Sequence, residues 1–452
     1  AQKRSSCCGR VYCLFVVVFV VIIYYLYYNK SNYIDDYTLN LMDKRDFIKT
    51  LTLGSISWSI SSRDIPNWHN ENDSEKFWQK VRDDYNLVPD YINLESGYYN
   101  IIPKPTLNAL HNHIDSVNRL GSMYMRKFKE KEKASINKKL SQIVGCSSKN
   151  LILTRNTTES LNSVIKGLNW VEGDNIIFAN QDYGAMQQMI HQTAERFKLT
   201  TTILDVPNHP KDDDEIVSLY EKSISKSTKL ILVSHMVNIT GQILPIKKIC
   251  NMAHNYGVQV LVDGAHCIGH FTFSIDELNC DYYGSSLHKW LAAPLGCGIL
   301  YINEKHHKDL WPLFTRNSNL DDGIERFGHT GTHPAYHDIS ISNAIDYYVM
   351  LGPKRKEDRL RYLNNLWTKP LRNNNKIILN TPENPKRYAA IANVGIKGIS
   401  PSELSNILFD KYKIFCVAID RPGVRGCRIT PNVFTSENEI ISFRNALLEI
   451  AS

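Results

Sequence analysis

The composition of this 452-residue chain is short of several things, and each shortage excludes a class of protein. Cysteine is sparse: ten residues, irregularly spaced, three of them crowded at Cys7, Cys8 and Cys13, and no CxxC pair. That pattern supplies neither a disulfide framework nor a cysteine-rich metal site, so most of the thiols are expected to be buried. Charge of one sign is also scarce. Against 53 Lys and Arg stand 46 Asp and Glu, a net +7 that lies partly in the first sixty residues, which leaves too little basic surface to argue for nucleic acid. With 23 Gly and 17 Pro and no internal repeat, collagen-like and low-complexity architectures are excluded. What remains, 43% apolar and 22% charged residues, is ordinary globular composition in a chain long enough for two or three domains.

Long apolar runs are scarce too, with one exception. Residues 11–28 (VYCLFVVVFVVIIYYLYY) follow Lys3, Arg4 and Arg10, the length and flank of a minimal membrane span with its N-terminus cytoplasmic. A second feature competes with it. From Met42, the stretch MDKRDFIKTLTLGSISWSIS places Phe47 two residues after Lys44-Arg45 and ahead of a weakly apolar, small-residue segment. This resembles a twin-arginine export signal whose first Arg is Lys. Such a signal belongs at a chain start, so residues 1–41 read either as an anchor or as sequence upstream of a true start at Met42. A plain amphipathic segment is the third reading. The location expected is accordingly export through 42–60, membrane contact through 11–28, or otherwise the cytoplasm.

After a polar linker near 61–74, helical spacing runs through 75–86, 105–120 and 126–144. Short β-rich runs then alternate with helical stretches. The strands expected are 151–154, 175–179, 201–206, 229–234, 258–263 and 296–302, with helices at 158–169, 184–197, 213–224 and 245–256 between them. This alternation predicts a doubly wound, mostly parallel α/β sheet. A long charged helix at 353–374 opens a different pattern. The domains expected are an N-terminal segment 1–74, a large α/β domain 75–351 and a smaller α+β domain 352–452.

In such sheets the chemistry sits at the carboxyl ends of strands. The strand VQVLVD ends in Asp263-Gly264-Ala265-His266, and some twenty residues on comes Ser285-Ser286-Leu287-His288-Lys289-Trp290, ahead of the small and apolar LAAPLGCGILYI. A lysine in a partly apolar pocket sheds its proton more easily and becomes a nucleophile for a carbonyl, the requirement for a Schiff base. Taken singly, Lys289 reads as a surface lysine and Asp263 as a helix cap. Together they match the needs of pyridoxal 5'-phosphate, which requires a carboxylate at its ring nitrogen and a helix N-terminus with hydroxyls at its phosphate. Asn156-Thr157-Thr158-Glu159-Ser160, opening a helix directly after LILT, supplies the latter and also reads as a capping box. Ser286 and His288 stand close enough to Lys289 in sequence to serve the same phosphate.

The segment LVDGAHCIGHFTFSIDELNCDYYGSSLHKWLAAPLGCGILY resembles the cofactor-lysine region of class V aminotransferases, the fold-type I pyridoxal phosphate enzymes that include cysteine desulfurases, kynureninase and isopenicillin N epimerase. The likeness is to the isopenicillin-N-epimerase-like subgroup through TRNTTESLNSVIKGL, QDYGAM, SHMVNITGQILPI, GHTGTHPAYHDISISNAIDYYVMLGPKRKEDRLRYL and RITPNVFTSENEI, and it covers roughly 90–445. It implies a fold-type I large domain with a smaller C-terminal domain. It implies that Lys289 forms the Schiff base and shuttles the α-proton, that Asp263 pairs with the ring nitrogen, that His266 lies beside the ring hydroxyl and that Tyr183 stacks on the ring. Thr157 or Thr158, Ser286 and His288 then hold the phosphate, and Asn238 lies in a loop facing the cofactor. Thr332 reaches the neighbouring subunit's phosphate, which implies a homodimer with shared sites, and Arg428 grips a substrate carboxylate.

A desulfurase needs a mobile cysteine shortly before that arginine. Cys416 lies inside the apolar run IFCVAI, Cys427 adjoins Arg428 where strand alternation turns it away, and the intervening DRPGVRG has none. The function expected is therefore reaction at the α-carbon of a small-molecule amino acid or amine, as an aminotransferase. Epimerisation or racemisation is the alternative, with desulfuration, kynureninase-like cleavage and a non-catalytic scaffold behind it. No metal is called for.

Overall fold

Runs of Ile, Leu and Val form the centre of the large domain. The computed structural model describes Trp68, Glu71 and residues 73–314 and 323–452. The proposed span at 11–28 and the export-like segment at 42–60 lie outside the described residues. Among the described residues, no helix is long and apolar enough to cross a membrane.

Residues 65–452 form one unit. The first strand, β1 (Ile92–Asn93), precedes seven that make the main sheet: β2 (Leu151–Thr154), β3 (Asn175–Ala179), β4 (Thr200–Leu204), β5 (Thr228–Ser234), β6 (Gln259–Asp263), β7 (Tyr282–Ser286) and β8 (Gly298–Ile302). Their order is β2-β8-β7-β6-β5-β3-β4. All neighbours are parallel except β8, which runs antiparallel to both β2 and β7. Leu230 to Val233 and Val260 to Val262 have no exposed surface, as expected of parallel strands covered on both faces. Alternate residues pack to opposite sides. Ile177, Ile231, Val260, Val262 and Tyr283 meet the helices Lys129–Val144, Asp213–Glu221, Ile246–Asn255 and Ala335–Leu351. Ile176, Phe178, Leu230, Leu261 and Tyr282 meet the helices Thr157–Gly167 and Gly184–Phe197.

The strands and helices read from the sequence are present with ends that coincide or shift by up to three residues. The 126–144 pattern forms two helices, Ser122–Lys127 and Lys129–Val144, with Phe128 between them. The helix opening the C-terminal region runs Pro353–Leu371 and takes Pro370 into its last turn.

The smaller C-terminal domain contains β9 (Ile377–Leu379), β10 (Ala392–Ile396), β11 (Ile414–Phe415), β12 (Val417–Arg421) and β13 (Val424–Ile429). Four of these make an antiparallel sheet in the order β12-β13-β10-β9, with the helices Pro401–Tyr412 and Glu437–Ala451 packed on its core. β11 pairs in parallel with β1, and a further bridge joins Glu95 to Thr430. The segment after β1 therefore runs beside the end of β13, which places residues 95–100 next to Arg428 and the loop that follows β7.

Candidate active site

Two strand ends align, and β7 runs two residues past them. In register, Ser234 of β5 faces Asp263 of β6, and Asp263 faces Gly284 of β7, so the carboxylate stands in the middle of the carboxyl edge of the sheet. A Cβ on Gly264 would lie 2.1 Å from the Tyr283 ring, so only glycine lets the chain turn there. Asp263 is 6% exposed and its Oδ1 accepts from Ala265 N–H at 3.0 Å, the one hydrogen bond of its carboxylate among the described residues. Burial raises its pKa, while the Ala265 N–H and the Lys289 charge pull it down.

Lys289 lies in the loop after β7, tied down by Leu287 N–H on Cys297 O at 2.9 Å and Ala292 N–H on Lys289 O at 3.2 Å. Its Nζ is 3.0 Å from His266 Nε2. Desolvation is the largest influence and lowers its pKa to about 8, against the opposing pull of Asp263. The His266 pKa is driven well below its usual value by burial and then by the Lys289 charge, so the ring is neutral.

The proton on His266 can be placed by counting donors. Trp290 Nε1 has only a hydrogen to give and lies 3.3 Å from His266 Nδ1, so Nδ1 accepts and the single ring proton resides on Nε2, facing Lys289. That hydrogen bond requires Lys289 as the free amine, the form a pKa near 8 makes accessible. His270 completes the arrangement: its ring stacks on Trp290 at 3.7 Å and 17°, its Nδ1 lies 2.8 Å from His266 O, and its Nε2 accepts from Ala390 N–H at 2.9 Å.

The helix Thr157–Gly167 brings its N-terminus to the same edge. Thr157 N–H donates to Ser286 Oγ at 3.0 Å and the two hydroxyls lie 2.7 Å apart. Asn156 Oδ1 accepts from Glu159 N–H at 2.9 Å, while the Glu159 carboxylate reaches Arg155 N–H at 2.6 Å, so this segment is a helix cap as well as a cup of donors. A Cβ on Gly298 would come 2.8 Å from the Asn156 backbone, which is how β8 lets the turn approach. Thr158 is exposed beside it. His288 Nδ1 lies 3.1 Å from Cys297 O and is the donor there, leaving Nε2 an acceptor while burial keeps the ring neutral with a pKa near 4. His288 can therefore donate to a phosphate only when protonated.

Arg428, on β13, makes a bidentate pair with the carboxylate of its own chain's Glu95: Nη2 to Oε1 at 2.6 Å and Nε to Oε2 at 3.2 Å. Its Nη1 lies 3.4 Å from Asn238 O, which joins the Asn238 loop to this group. Tyr183 is 46% exposed at the N-cap of the helix Gly184–Phe197, after β3. Thr332 is joined to Lys289 by no hydrogen bond among the described residues. It is exposed, in a segment that begins beyond the residues 315–322 outside the description. Cys416 and Cys427 are both buried, and Cys427 Sγ faces Pro401 O at 3.5 Å on the far side of its strand from Arg428.

A sequence model of the family described as Aminotransferase class-V matches residues 102–421. The chain belongs to this family. Among curated proteins it is 25% identical to an isopenicillin N epimerase of Streptomyces clavuligerus over 82% of this chain and 97% of that one. It is 26% identical to an isopenicillin N epimerase of Amycolatopsis lactamdurans over 83% and 98%. Among solved structures, a cysteine desulfurase from Thermococcus onnurineus NA1 superposes with a TM-score of 0.74 at 23% identity, covering 82% of this chain and 97% of that one, and shares the fold.

The class V chain is a pyridoxal 5'-phosphate enzyme, and the residues present fit that group. A buried carboxylate with one oxygen unengaged suits a protonated ring nitrogen, a desolvated lysine suits an aldehyde, and a helix N-terminus with two hydroxyls suits a phosphate. Sequence reading did not single out Glu95, His270 or the part played by Trp290. Trp290 carried a signal, adjacency to Lys289, whereas Glu95 lies 333 residues from its partner and carried none.

Proposed function

We propose that this class V enzyme is an aminotransferase that removes the proton from the amino-bearing carbon of its substrate with Lys289. The observation that carries the reading is the contact of Lys289 Nζ with His266 Nε2 at 3.0 Å, with Asp263 at the adjoining strand end. Bound pyridoxal 5'-phosphate supplies an electron sink for the pair left behind by that proton. Asp263 offers a carboxylate to the ring nitrogen, and burial strengthens that contact by excluding water. Thr157, Ser286 and the first turn of their helix offer donors to the phosphate, and Thr158 stands beside them. Lys289, a free amine above about pH 8, accepts the proton and can return it, since its pKa lies near working pH. His266, donating from Nε2, orients the lysine in the free chain and remains a fixed donor once a ligand takes the lysine's place. Tyr183 is assigned to the open face of the ring, and Thr332 to the phosphate of a second copy in a homodimer.

Desulfuration lacks a mobile thiol beside Arg428 among the described residues. Both cysteines near Arg428 are buried, and the β12–β13 turn has none. Epimerisation is the second reading because two relatives carry that name. The test is a half-reaction: the full-length protein loaded with cofactor is mixed with amino donors in deuterated water and its visible spectrum followed. Loss of the visible band with one equivalent of carbonyl product establishes transamination. A persistent band with exchange of the α-proton and no carbonyl product refutes it in favour of epimerisation.

A further inference from the structure

The carboxylate-binding edge of Arg428 is already in use. Glu95 engages Nε and Nη2 together, and Glu95 Oε1 also accepts from Tyr98 N–H at 2.8 Å. Both partners are buried, at 8% and 7% exposure. Thr430 Oγ1 lies 3.4 Å from Glu95 Oε2, and the Glu95 backbone is bridged to Thr430, so the carboxylate is held in place from three sides. Gly97 lies against the guanidinium, where a Cβ would come 3.2 Å from Cζ. The built arrangement is thus a closed, neutral ion pair, and a substrate carboxylate approaching it meets no net positive charge. Displacing Glu95 would strand a buried carboxylate away from its donors, which is strongly unfavourable.

We propose that Glu95 masks Arg428, so that the enzyme prefers donors whose reacting carbon carries no carboxylate, namely primary amines and ω-amino acids, over α-amino acids. Glu95 is then a specificity residue acting through Arg428. The proposal deepens the aminotransferase reading and rests on it for turnover, but not for ligand binding. A single Asn238 carbonyl at 3.4 Å on Nη1 leaves one hydrogen each on Nη1 and Nη2, enough to steer a neutral group and not enough to replace a salt bridge.

Two measurements on full-length, cofactor-loaded protein test it. In the first, wild-type protein receives matched donors, L-phenylalanine with 2-phenylethylamine and L-glutamate with 4-aminobutanoate, and kcat/KM of the half-reaction is compared. At least tenfold preference for the amine member is expected, and a preference for the α-amino acid in both pairs overturns the proposal without recourse to any variant. In the second, propionate binding is measured by calorimetry on wild type and Glu95→Gln, which keeps an acceptor for Tyr98 N–H and removes the charge. Binding at least tenfold tighter in the variant is expected, and equal or weaker binding overturns the masking. If no donor reacts while the visible band is intact, transamination is what fails, and the propionate result still decides on Glu95.

Discussion

Replacing Trp290 with Phe removes one hydrogen bond while keeping a flat ring against His270. In the wild type, Trp290 Nε1 donates to His266 Nδ1 at 3.3 Å, and a proton placed on Nδ1 would leave two buried groups unpaired. At about 1–2 kcal/mol for each group, that disfavours the Nδ1–H form by about 2–4 kcal/mol. Above about pH 8, where Lys289 is the free amine, the Nε2–H contact with it at 3.0 Å adds about 1 kcal/mol in the same direction. At 1.4 kcal/mol per factor of ten, the Nδ1–H form is below about 1% in the wild type. In Trp290→Phe only the Lys289 contact remains, and the minor form rises to about 15%. Turnover should fall less than about twofold from this cause, because most molecules keep the productive tautomer. The nitrogen shifts of histidine-labelled protein report the change directly, since protonated and unprotonated ring nitrogens are far apart. The reasoning fails if His266 Nδ1 carries a proton in the wild type, or if its shift is the same in the variant. Because Trp290 has no exposed surface, thermal stability should also drop, by about 1–3 kcal/mol for the cavity and the unpaired Nδ1.

Lys289→Ala should abolish the borohydride-reducible attachment of the cofactor, and retained full turnover would remove Lys289 from the mechanism. In the wild type, attack on the cofactor aldehyde needs the free amine, so the rate of reconstitution should rise about tenfold per pH unit up to about 8 and flatten above it, as stopped-flow absorbance can show. Asp263→Ala removes a charge-assisted hydrogen bond of about 1.5–3 kcal/mol, so cofactor affinity measured by equilibrium dialysis should weaken about 10–150-fold, and unchanged affinity would reduce Asp263 to a cap. Lys356 is 5% exposed, donates to Trp290 O and has its pKa lowered to about 7 by burial. Its unfolded form binds a proton up to about 10.4, so between about pH 7 and 10 unfolding takes up a proton and stability rises with pH by at most about 1.4 kcal/mol per unit. Lys356→Met should remove that slope from denaturant curves, and an identical slope would show that the folded lysine keeps its ordinary pKa.

Most of the large domain was legible because parallel strands buried on both faces are continuous apolar runs: NIIFA and LILT coincide with β3 and β2 to the residue. The same holds for the half of the site that is local in sequence. Asp263, His266, Lys289 and Trp290 fall on two adjacent parallel strands and the loops that follow them, so one strand register sets all four. Taken singly, Asp263 reads as a cap and Lys289 as a surface lysine, and only their proximity removes the ambiguity. Asn156 shows that the alternatives are not exclusive: it caps its helix at the same turn whose backbone N–H groups and hydroxyls could serve an anion.

The other half was not legible, and the reason is topological. Glu95 belongs to a segment that the sequence presents as the start of the large domain, yet β1 adds to β11 and Glu95 bridges to Thr430, so that segment is held by strands more than 300 residues away. A carboxylate at position 95 has no local feature that distinguishes it from any other surface glutamate. The arginine did have a motif, and the motif pointed to a substrate carboxylate, because nothing in CRIT records whether the chain supplies a carboxylate of its own. Family motifs describe what a group can bind, and the fold decides whether that capacity is already spent. Here the carboxylate-binding capacity of Arg428 is engaged by Glu95 before a substrate arrives, so the donor class depends on Glu95 as much as on Arg428.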